Sequence, residues 1–441
     1  MNLSDIARVL NVSFTLDCVL SGISIDSRKV KPGDLFVALR GERFDGHDYI
    51  VAAARSGAIA VICEQSLQDV TIEQLVVTSS VEALAAIATW YRQEFTCPII
   101  AVTGSNGKTS VKEMIAHILP QPSLATAGNL NNHIGVPLSI FQLQPEHRYA
   151  VFELGANHIG EIAYTVAMIQ PQVALINNIA PAHIEGFGSI EGVAQAKGEI
   201  YKGLSTGGIA VVNDDDTYAH FWDETIASHP VIRFSQSHAA NVWASDVVLN
   251  ASGCAEFTLN ISDERALVCL KVPGLHSVSN ALAAAACTHA LGISLSDIKN
   301  GLASFTGVSG RMMFFKGKKQ ATIIDDTYNA NLRSTLAAVQ VLANCSGVRI
   351  LVLGDMAELG AWSEQHHEAV GIAAREQRID GLLTCGKLGV KSALAFGSGG
   401  KHYTNQHELT EDLLRRLDSD TTVLVKGSRS AAMENIVQEL I

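Results

Sequence analysis

The run Ala101-Val-Thr-Gly-Ser-Asn-Gly-Lys-Thr-Ser110 carries the residue types of a phosphate-binding loop at the spacing such a loop requires. Gly104 and Gly107, with Ser105 and Asn106 between them, let backbone N–H groups approach phosphate oxygens. Lys108 can reach the outer phosphates, the Thr109 hydroxyl can ligate Mg²⁺, and Ser110 adds a second hydroxyl. Val102 stands where the full pattern has glycine, so this is the shortened form G-x-x-G-K-T. The pattern implies a nucleoside triphosphate site.

Other polar residues are expected at the carboxyl ends of neighbouring strands, where parallel sheets collect ligands. Glu153, Asn177-Asn178 and His183 each follow an apolar run. A carboxylate and an imidazole beside a triphosphate are natural Mg²⁺ ligands. Lys197 lies in a helical stretch with small neighbours Ala194, Ala196 and Gly198, and reads either as a solvated lysine or as a site residue with space around it. The amides Asn129, Asn131 and Asn132 either hold a polar substrate or cap the helix that follows. Asn280 opens another helix, where an amide can read an adenine edge. Asp325-Asp-Thr-Tyr-Asn-Ala-Asn331 brings Asp326, Tyr328, Asn329 and Asn331 to the end of a further strand. Arg311 stands at a domain junction, where a moving domain can carry a guanidinium to the phosphates; its alternative is an interdomain salt bridge. Near the N-terminus, Ser27, Arg28 and Arg43 lie on loops that suit an anionic ligand or are simply solvated turns.

The elements that position these groups are α/β throughout. Strand-like Pro98–Val102 precedes the glycine loop, and Val111, Met114, Ile115 and Ile118 recur behind it at helical spacing until Pro120. Strands at 149–152, 173–176 and 209–212 alternate with helices, which argues for a parallel sheet. After Pro230 four short strands (231–234, 242–249, 255–259, 266–272) suggest an antiparallel extension. Strands at 322–324, 350–353, 381–383 and 423–425 form another α/β unit without a dinucleotide fingerprint. At 441 residues two or three domains are expected, with boundaries giving 1–80, 81–310 and 311–441. A net charge of −12 and the lack of a basic stripe argue against nucleic acid. Eight scattered cysteines without metal-ligand spacing, and no long apolar run, lead to the expectation of a cytoplasmic protein with no membrane insertion.

Taken together and in order, Thr103–Thr109, Glu153, His183, Ala196-Lys-Gly198, His276 with Asn280, Gly310-Arg311 and the Asp325 run resemble the Mur ligase family over the whole chain. Asn129–Asn132, Asp326–Asn331, Gly354-Asp-Met-Ala-Glu-Leu-Gly360 and Asp26-Ser-Arg28 are similar to its D-alanyl-D-alanine-adding branch. The resemblance implies a small mixed α/β N-terminal domain that binds a uridine nucleotide through Ser27 and Arg28. It further implies a central ATP-binding domain and a C-terminal Rossmann-like domain. The implied reaction is ATP-dependent addition of D-alanyl-D-alanine to UDP-N-acetylmuramoyl-tripeptide through an acyl phosphate, by a monomer. By the same resemblance Thr109 and Glu153 hold one Mg²⁺, while His183 and a carbamylated Lys197 hold a second. Lys108 and Arg311 neutralise phosphate charge; Asn280, Asp326 and Tyr328 contact adenosine; Asn131, Asn132, Asn329 and Asn331 contact substrate. Ser110, His133 and Leu332 depart from the family pattern without removing a group the chemistry needs. Alternatives are a sibling Mur or folylpolyglutamate-type ligase, or a P-loop regulatory ATPase.

Overall fold

The strand Ile99–Thr103 is buried along its whole length. Its side chains alternate between two cores, as the two-residue period of a strand requires. Ile100 and Val102 pack with Val111, Met114 and Ile115 of the helix Lys108–Ile118 and with the alanines of Leu275–Ala290. Ile99 and Ala101 pack with Ile162 and Ile200, from the helices Glu161–Ile169 and Ile190–Lys202. A strand covered on both faces reads as an uninterrupted apolar run, and each fully buried aliphatic side chain contributes roughly 1.5–3 kcal/mol.

The computed structural model describes the chain apart from residues 42, 43, 69, 182, 183, 251 and 358 and the side chains of 184, 185 and 361. Ile99–Thr103 lies within a nine-stranded sheet, between Tyr149–Glu153 on one side and Val173–Ile176 on the other, parallel to both. The loop after it, Glu153 and Asn177 therefore emerge at one sheet edge. Beyond Val173–Ile176 follow Ile209–Asn213, Val231–Ser235, Val242–Leu249, Cys254–Ile261 and Glu264–Pro273. The expected antiparallel extension needs correction at its first member. Val231–Ser235 is parallel to both neighbours, and antiparallel pairing starts only between Val242–Leu249 and Cys254–Ile261. A hairpin needs a short turn between its strands; Val231 is reached from Ile209–Asn213 through a helical excursion that includes Asp223–Ile226, which returns the chain in the same direction.

A four-stranded parallel sheet (Gly22–Ser24, Asp34–Val37, Ala60–Cys63, Glu73–Val76) forms the N-terminal part. The helix Ser80–Gln93 serves two cores, with Leu84 and Ile87 in that of the small sheet and Ala85 and Ala88 in that of the large one. The C-terminal part is a six-stranded sheet in the order Met313–Lys316, Thr322–Asp326, Thr421–Lys426, Val348–Leu353, Gly381–Cys385, Gly400–Tyr403. It is parallel except for the first strand. The architecture is thus the expected three-part α/β arrangement, with edge strands and the N-terminal helix Leu3–Leu10 added to it. Among the described residues no helix is long and apolar enough to cross a membrane.

Candidate functional site

The glycine loop closes over its own strand end. Lys108 Nζ donates to the Gly104 carbonyl at 2.8 Å, folding the lysine back across the loop. Two consecutive asparagines brace the loop from the next strand. Asn177 and Asn178 donate their Nδ2 groups to the Asn106 carbonyl at 2.9 and 3.1 Å, and Asn178 Oδ1 accepts from the Asn106 amide at 2.9 Å. The Ser105 hydroxyl donates to the Ala180 carbonyl at 3.0 Å. Gly107 has φ +77°, and a Cβ there would sit 2.5 Å from Asn280 Oδ1 and 2.6 Å from Asn177 Nδ2. Conformation and crowding both demand glycine at that position.

A cleft of 1020 Å³ opens over this loop, at the upper limit of the usual range for small-molecule sites. Ser105, Asn106, Gly107, Lys108, Thr109 and Ser110 form its floor. Asn131, Asn132, Glu153 and Asn280 line it from the central sheet. Arg311, Asp326, Tyr328, Asn329 and Asn331 line it from the C-terminal part. Ser27, Arg28 and Lys197 do not line it. His183 lies outside the described residues.

Glu153 is 2% exposed. Its Oε1 accepts from Asn131 Nδ2 at 2.7 Å, whereas Oε2 is buried with no partner among the described residues. A desolvated, unpaired carboxylate oxygen is costly unless something completes it. With the Thr109 hydroxyl on the same cleft, the donors are hard oxygens, the set Mg²⁺ prefers. The residues present fit that ion. Asn106 Nδ2, Asn177 Oδ1 and Arg311 Nε are likewise buried without partners among the described residues, all around the same loop.

Arg311 connects the two halves of the cleft. Its Nη2 donates to Thr109 Oγ1 at 3.2 Å, and its guanidinium lies over the Tyr328 ring, 4.1 Å from the centroid. It sits between Gly310 at φ +72° and Met312 at φ +53°. The left-handed methionine is held by its N–H, which donates to Asp326 Oδ1 at 3.2 Å, and by burial of its side chain. Across the same junction Asn331 Nδ2 donates to Asn106 Oδ1 at 2.8 Å, and Arg333 Nη1 donates to the Ile179 carbonyl at 2.9 Å. The domains whose approach the sequence calls for are in contact at the phosphate loop.

Several candidate residues have local partners. Asn132 Oδ1 accepts from the Ile134 and Gly135 amides at the start of the helix Gly135–Ile140, and Asn132 also lines the cleft. Asn131 instead orients Glu153. Asn331 caps the helix Leu332–Ala343 in a reciprocal pair with Ser334 and also reaches Asn106. Asn280 Oδ1 accepts from Asn177 Nδ2 at 3.0 Å. Arg28 folds onto Asp26 with bonds of 2.9 and 2.8 Å, and Arg28 holds the Asp26 carboxyl down at about 2. Ser27 lies beside it on the turn after Gly22–Ser24.

Lys197 is 2% exposed, with no hydrogen-bond or ion-pair partner among the described residues; its Nζ lies 5.8 Å from the Phe187 ring centroid. Burial, and then the charge of Lys108, push its amine well below the usual lysine range. The solvated-lysine reading is therefore wrong. The reading of its small neighbours as free space is wrong at Gly198. A Cβ there would meet the Trp222 indole at 2.4 Å, so that glycine accommodates tryptophan packing. Burial also lowers the Lys108 amine, Glu153 raises it and Arg311 lowers it further.

Two contributors escaped the sequence reading. Asn213 donates through Nδ2 to the Asn177 carbonyl at 2.9 Å. Lys426, 2% exposed, pairs with Asp326 Oδ2 at 2.5 Å. The usable signal in both is a polar residue ending an apolar strand.

Comparison with known proteins gives one picture along the whole chain. Residues 19–92 match the Mur ligase family catalytic domain, 102–288 the Mur ligase middle domain, and 310–429 the Mur ligase glutamate ligase domain. The UDP-N-acetylmuramoyl-tripeptide–D-alanyl-D-alanine ligase of Escherichia coli K12 is 46% identical, covering 100% of this chain and 98% of the relative. The Bacillus subtilis 168 protein of that name is 33% identical, with 96% and 93% covered. Among solved structures, MurF from Acinetobacter baumannii superposes with a TM-score of 0.93 at 36% identity, covering 99% of this chain and 98% of the other. MurF from Thermotoga maritima in complex with ADP gives 0.83 at 29% identity, covering 95% and 96%.

Proposed function

The chain belongs to the Mur ligase family, and from that premise we propose that it joins D-alanyl-D-alanine to the terminal carboxylate of a UDP-N-acetylmuramoyl-tripeptide while ATP is split to ADP and phosphate. It is an ATP-dependent ligase that forms an amide bond in peptidoglycan precursor synthesis. The observation that carries the reading is the convergence of Lys108, the unpaired Glu153 oxygen and Arg311 on one cleft from two domains.

A free carboxylate resists amines because it would have to expel an oxide or hydroxide. Transfer of the γ-phosphoryl group forms a bond to a carboxylate oxygen and breaks the bond to ADP. The dipeptide amine then attacks the acyl carbon, phosphate leaves with the electron pair of the C–O bond, and the amine loses a proton. Such a transfer depends on positioning and charge neutralisation. Lys108 lies on the loop that cradles the phosphates, and Arg311 closes over them from the C-terminal part. The Asn178 brace fixes the loop amides before substrate arrives, so little reorganisation remains for the reaction itself. Thr109 and Glu153 would hold Mg²⁺, which neutralises charge on the bound phosphates. Asn280, Asp326 and Tyr328 surround the adenosine in this reading, while Asn329 and Asn331 meet substrate.

Lys197, as a carbamate, would hold a second Mg²⁺ together with His183. Burial shifts this amine towards its neutral form, and a neutral amine attacks CO₂: the N–C bond forms, a proton leaves, and an anionic oxygen donor results. The small N-terminal sheet takes the uridine nucleotide, with Ser27 and Arg28 at its turn. The divisions 1–80, 81–310 and 311–441 assign these tasks to three domains. The resemblance to the family makes a monomer the expected functional unit. Eight free cysteines agree with a cytoplasmic location, where nucleotide-linked precursors and ATP are available.

The test is an acceptor panel. With UDP-N-acetylmuramoyl-tripeptide, ATP and Mg²⁺, D-alanyl-D-alanine supports phosphate release, whereas diaminopimelate, lysine or glutamate with the shorter precursors does not. Preference for a single amino acid moves the protein to a sibling branch. Acceptor-independent ATP hydrolysis alone removes it from the ligases.

A further inference from the structure

Lys426 is the last residue of the strand Thr421–Lys426 and sits beside Asp326, its register partner on Thr322–Asp326. Its ammonium is almost fully buried and makes two bonds: an ion pair to Asp326 Oδ2 at 2.5 Å and a hydrogen bond to the Asn329 carbonyl at 2.9 Å. A buried ammonium is strongly disfavoured unless paired and hydrogen-bonded, and here both conditions hold.

Each bond leads to one of the contacts that cross to the phosphate loop. Through Asp326, whose other oxygen accepts the Met312 N–H at 3.2 Å, the ammonium fixes the left-handed backbone next to Arg311; Arg311 then reaches Thr109. Through the Asn329 carbonyl it ties down the turn after Asp326. That turn carries Tyr328, on which the Arg311 guanidinium stacks, and Asn331, which reaches Asn106. We propose that Lys426 is a positioning residue of the ligase reaction: its buried ammonium sets the Asp326–Asn331 turn and the Arg311 backbone in the register that delivers both to the phosphate loop.

The assignment rests on the ligase reading for its kinetic consequence and on geometry alone for its structural one. Lys426→Met removes both bonds while keeping an unbranched stem of similar length. A misplacement of about 1 Å at a transferring group can cost on the order of a hundredfold in rate. The expected result, well below the thermal midpoint and at saturating ATP, Mg²⁺, UDP-tripeptide and D-alanyl-D-alanine, is a kcat about 10- to 100-fold below the parent per folded molecule. Lys426→Gln, which retains a donor without the charge, falls between the two and at least about threefold below the parent. A residue that merely stabilises the fold lowers the midpoint and leaves kcat per folded molecule unchanged. Lys426→Met within threefold of the parent overturns the proposal; where that variant does not fold, parent-like kcat in Lys426→Gln does so. Hydrogen exchange on the full chain provides a readout independent of turnover. Amides 310–312 and 327–331 exchange about tenfold faster or more in the substituted protein, while those of Val348–Leu353 keep the parent rate. Unchanged exchange in the two segments overturns the positioning role even if the parent joins a different acceptor; an inactive parent with the expected exchange overturns the ligase reading and leaves the positioning role standing.

Discussion

Arg311→Ala separates catalysis from stability most cleanly, because the structure assigns opposing contributions to this side chain in the resting protein. On the favourable side stand one hydrogen bond to Thr109, about 1 kcal/mol, and stacking on Tyr328, about 0.5–2 kcal/mol. On the unfavourable side stands a buried Nε without a partner among the described residues, at about 1–3 kcal/mol. Repulsion from the neighbouring lysine, visible as the downward push of Arg311 on Lys108, adds to that side. The terms cancel to within about 1–2 kcal/mol, so the thermal midpoint should move by no more than roughly 5 °C. Phosphoryl transfer draws on the same guanidinium differently, since an arginine that meets developing charge can be worth about 10³-fold, or roughly 4 kcal/mol. The assay is phosphate release at saturating substrates, with thermal unfolding measured on the same preparation. Arg311→Lys retains the charge but loses the planar fork and the stacking surface, and should recover only part of the rate. A kcat for Arg311→Ala within tenfold of the parent refutes the catalytic assignment. A stability loss above about 3 kcal/mol with proportionate loss of activity would instead make Arg311 an interdomain brace.

Lys108→Ala should lower kcat by roughly 10³-fold with an unchanged thermal midpoint, and near-parental turnover at saturating ATP would remove the phosphate-loop assignment. Lys197→Ala should lose most activity and regain part of it in millimolar acetate or formate, read as phosphate release; full activity without either ends the carbamate assignment. Glu153→Gln should raise the Mg²⁺ concentration needed for half-maximal rate by tenfold or more, and an unaltered Mg²⁺ dependence contradicts the ligand role. Asp412 tests the electrostatics of the C-terminal sheet away from the cleft: burial pushes its carboxyl up, but hydrogen bonds from Tyr403, Arg416 and Lys401 outweigh it and hold the group down at about 2. A carboxyl lowered in the folded state contributes stability above its unfolded pKa and loses it as pH falls towards 2. Asp412→Asn should therefore destabilise by roughly 1–2 kcal/mol at pH 7 after solvent screening and by far less near pH 2, and an equal deficit at both refutes the pairing.

What was legible in the sequence was local in the chain or periodic. Gly104 and Gly107 announce the loop because their backbone needs follow from residue type, and the helix behind it is written in Val111, Met114, Ile115 and Ile118. Glu153 and Asn177 could be placed at one edge because strand ends in a parallel sheet share an edge, and the strand order bears this out. Partners chosen by the fold were not legible. Lys426 lies 100 residues from Asp326, and Asn331 lies 225 residues from Asn106. Gly198 looked like space for Lys197, yet the space belongs to Trp222, whose position depends on the chain after Ile209–Asn213. Asn132 left cap and ligand equally open, since an amide that accepts from Gly135 N–H looks the same in sequence as one facing a substrate.

The junction between the central and C-terminal parts explains why so many polar groups around the loop remain unfinished. Three side-chain hydrogen bonds cross it among the described residues, from Arg311, Asn331 and Arg333. At about 1 kcal/mol each they hold the two parts together by only a few kcal/mol, before any cost of ordering the side chains. Four buried polar atoms around the same loop, in Asn106, Glu153, Asn177 and Arg311, have no partner among the described residues to add to that sum. A triphosphate can satisfy donors on both sides at once, and each charge-assisted bond it makes is about twice as strong as a neutral one. The ligand's differential contacts, rather than the protein's own interface, then decide how firmly the domains stay together. Stronger protein–protein pairing at the junction would hold the cleft shut equally well with and without nucleotide, and would slow product release. Weak polar contacts across the junction, with unmet ones inside it, are the arrangement that closure driven by substrate requires.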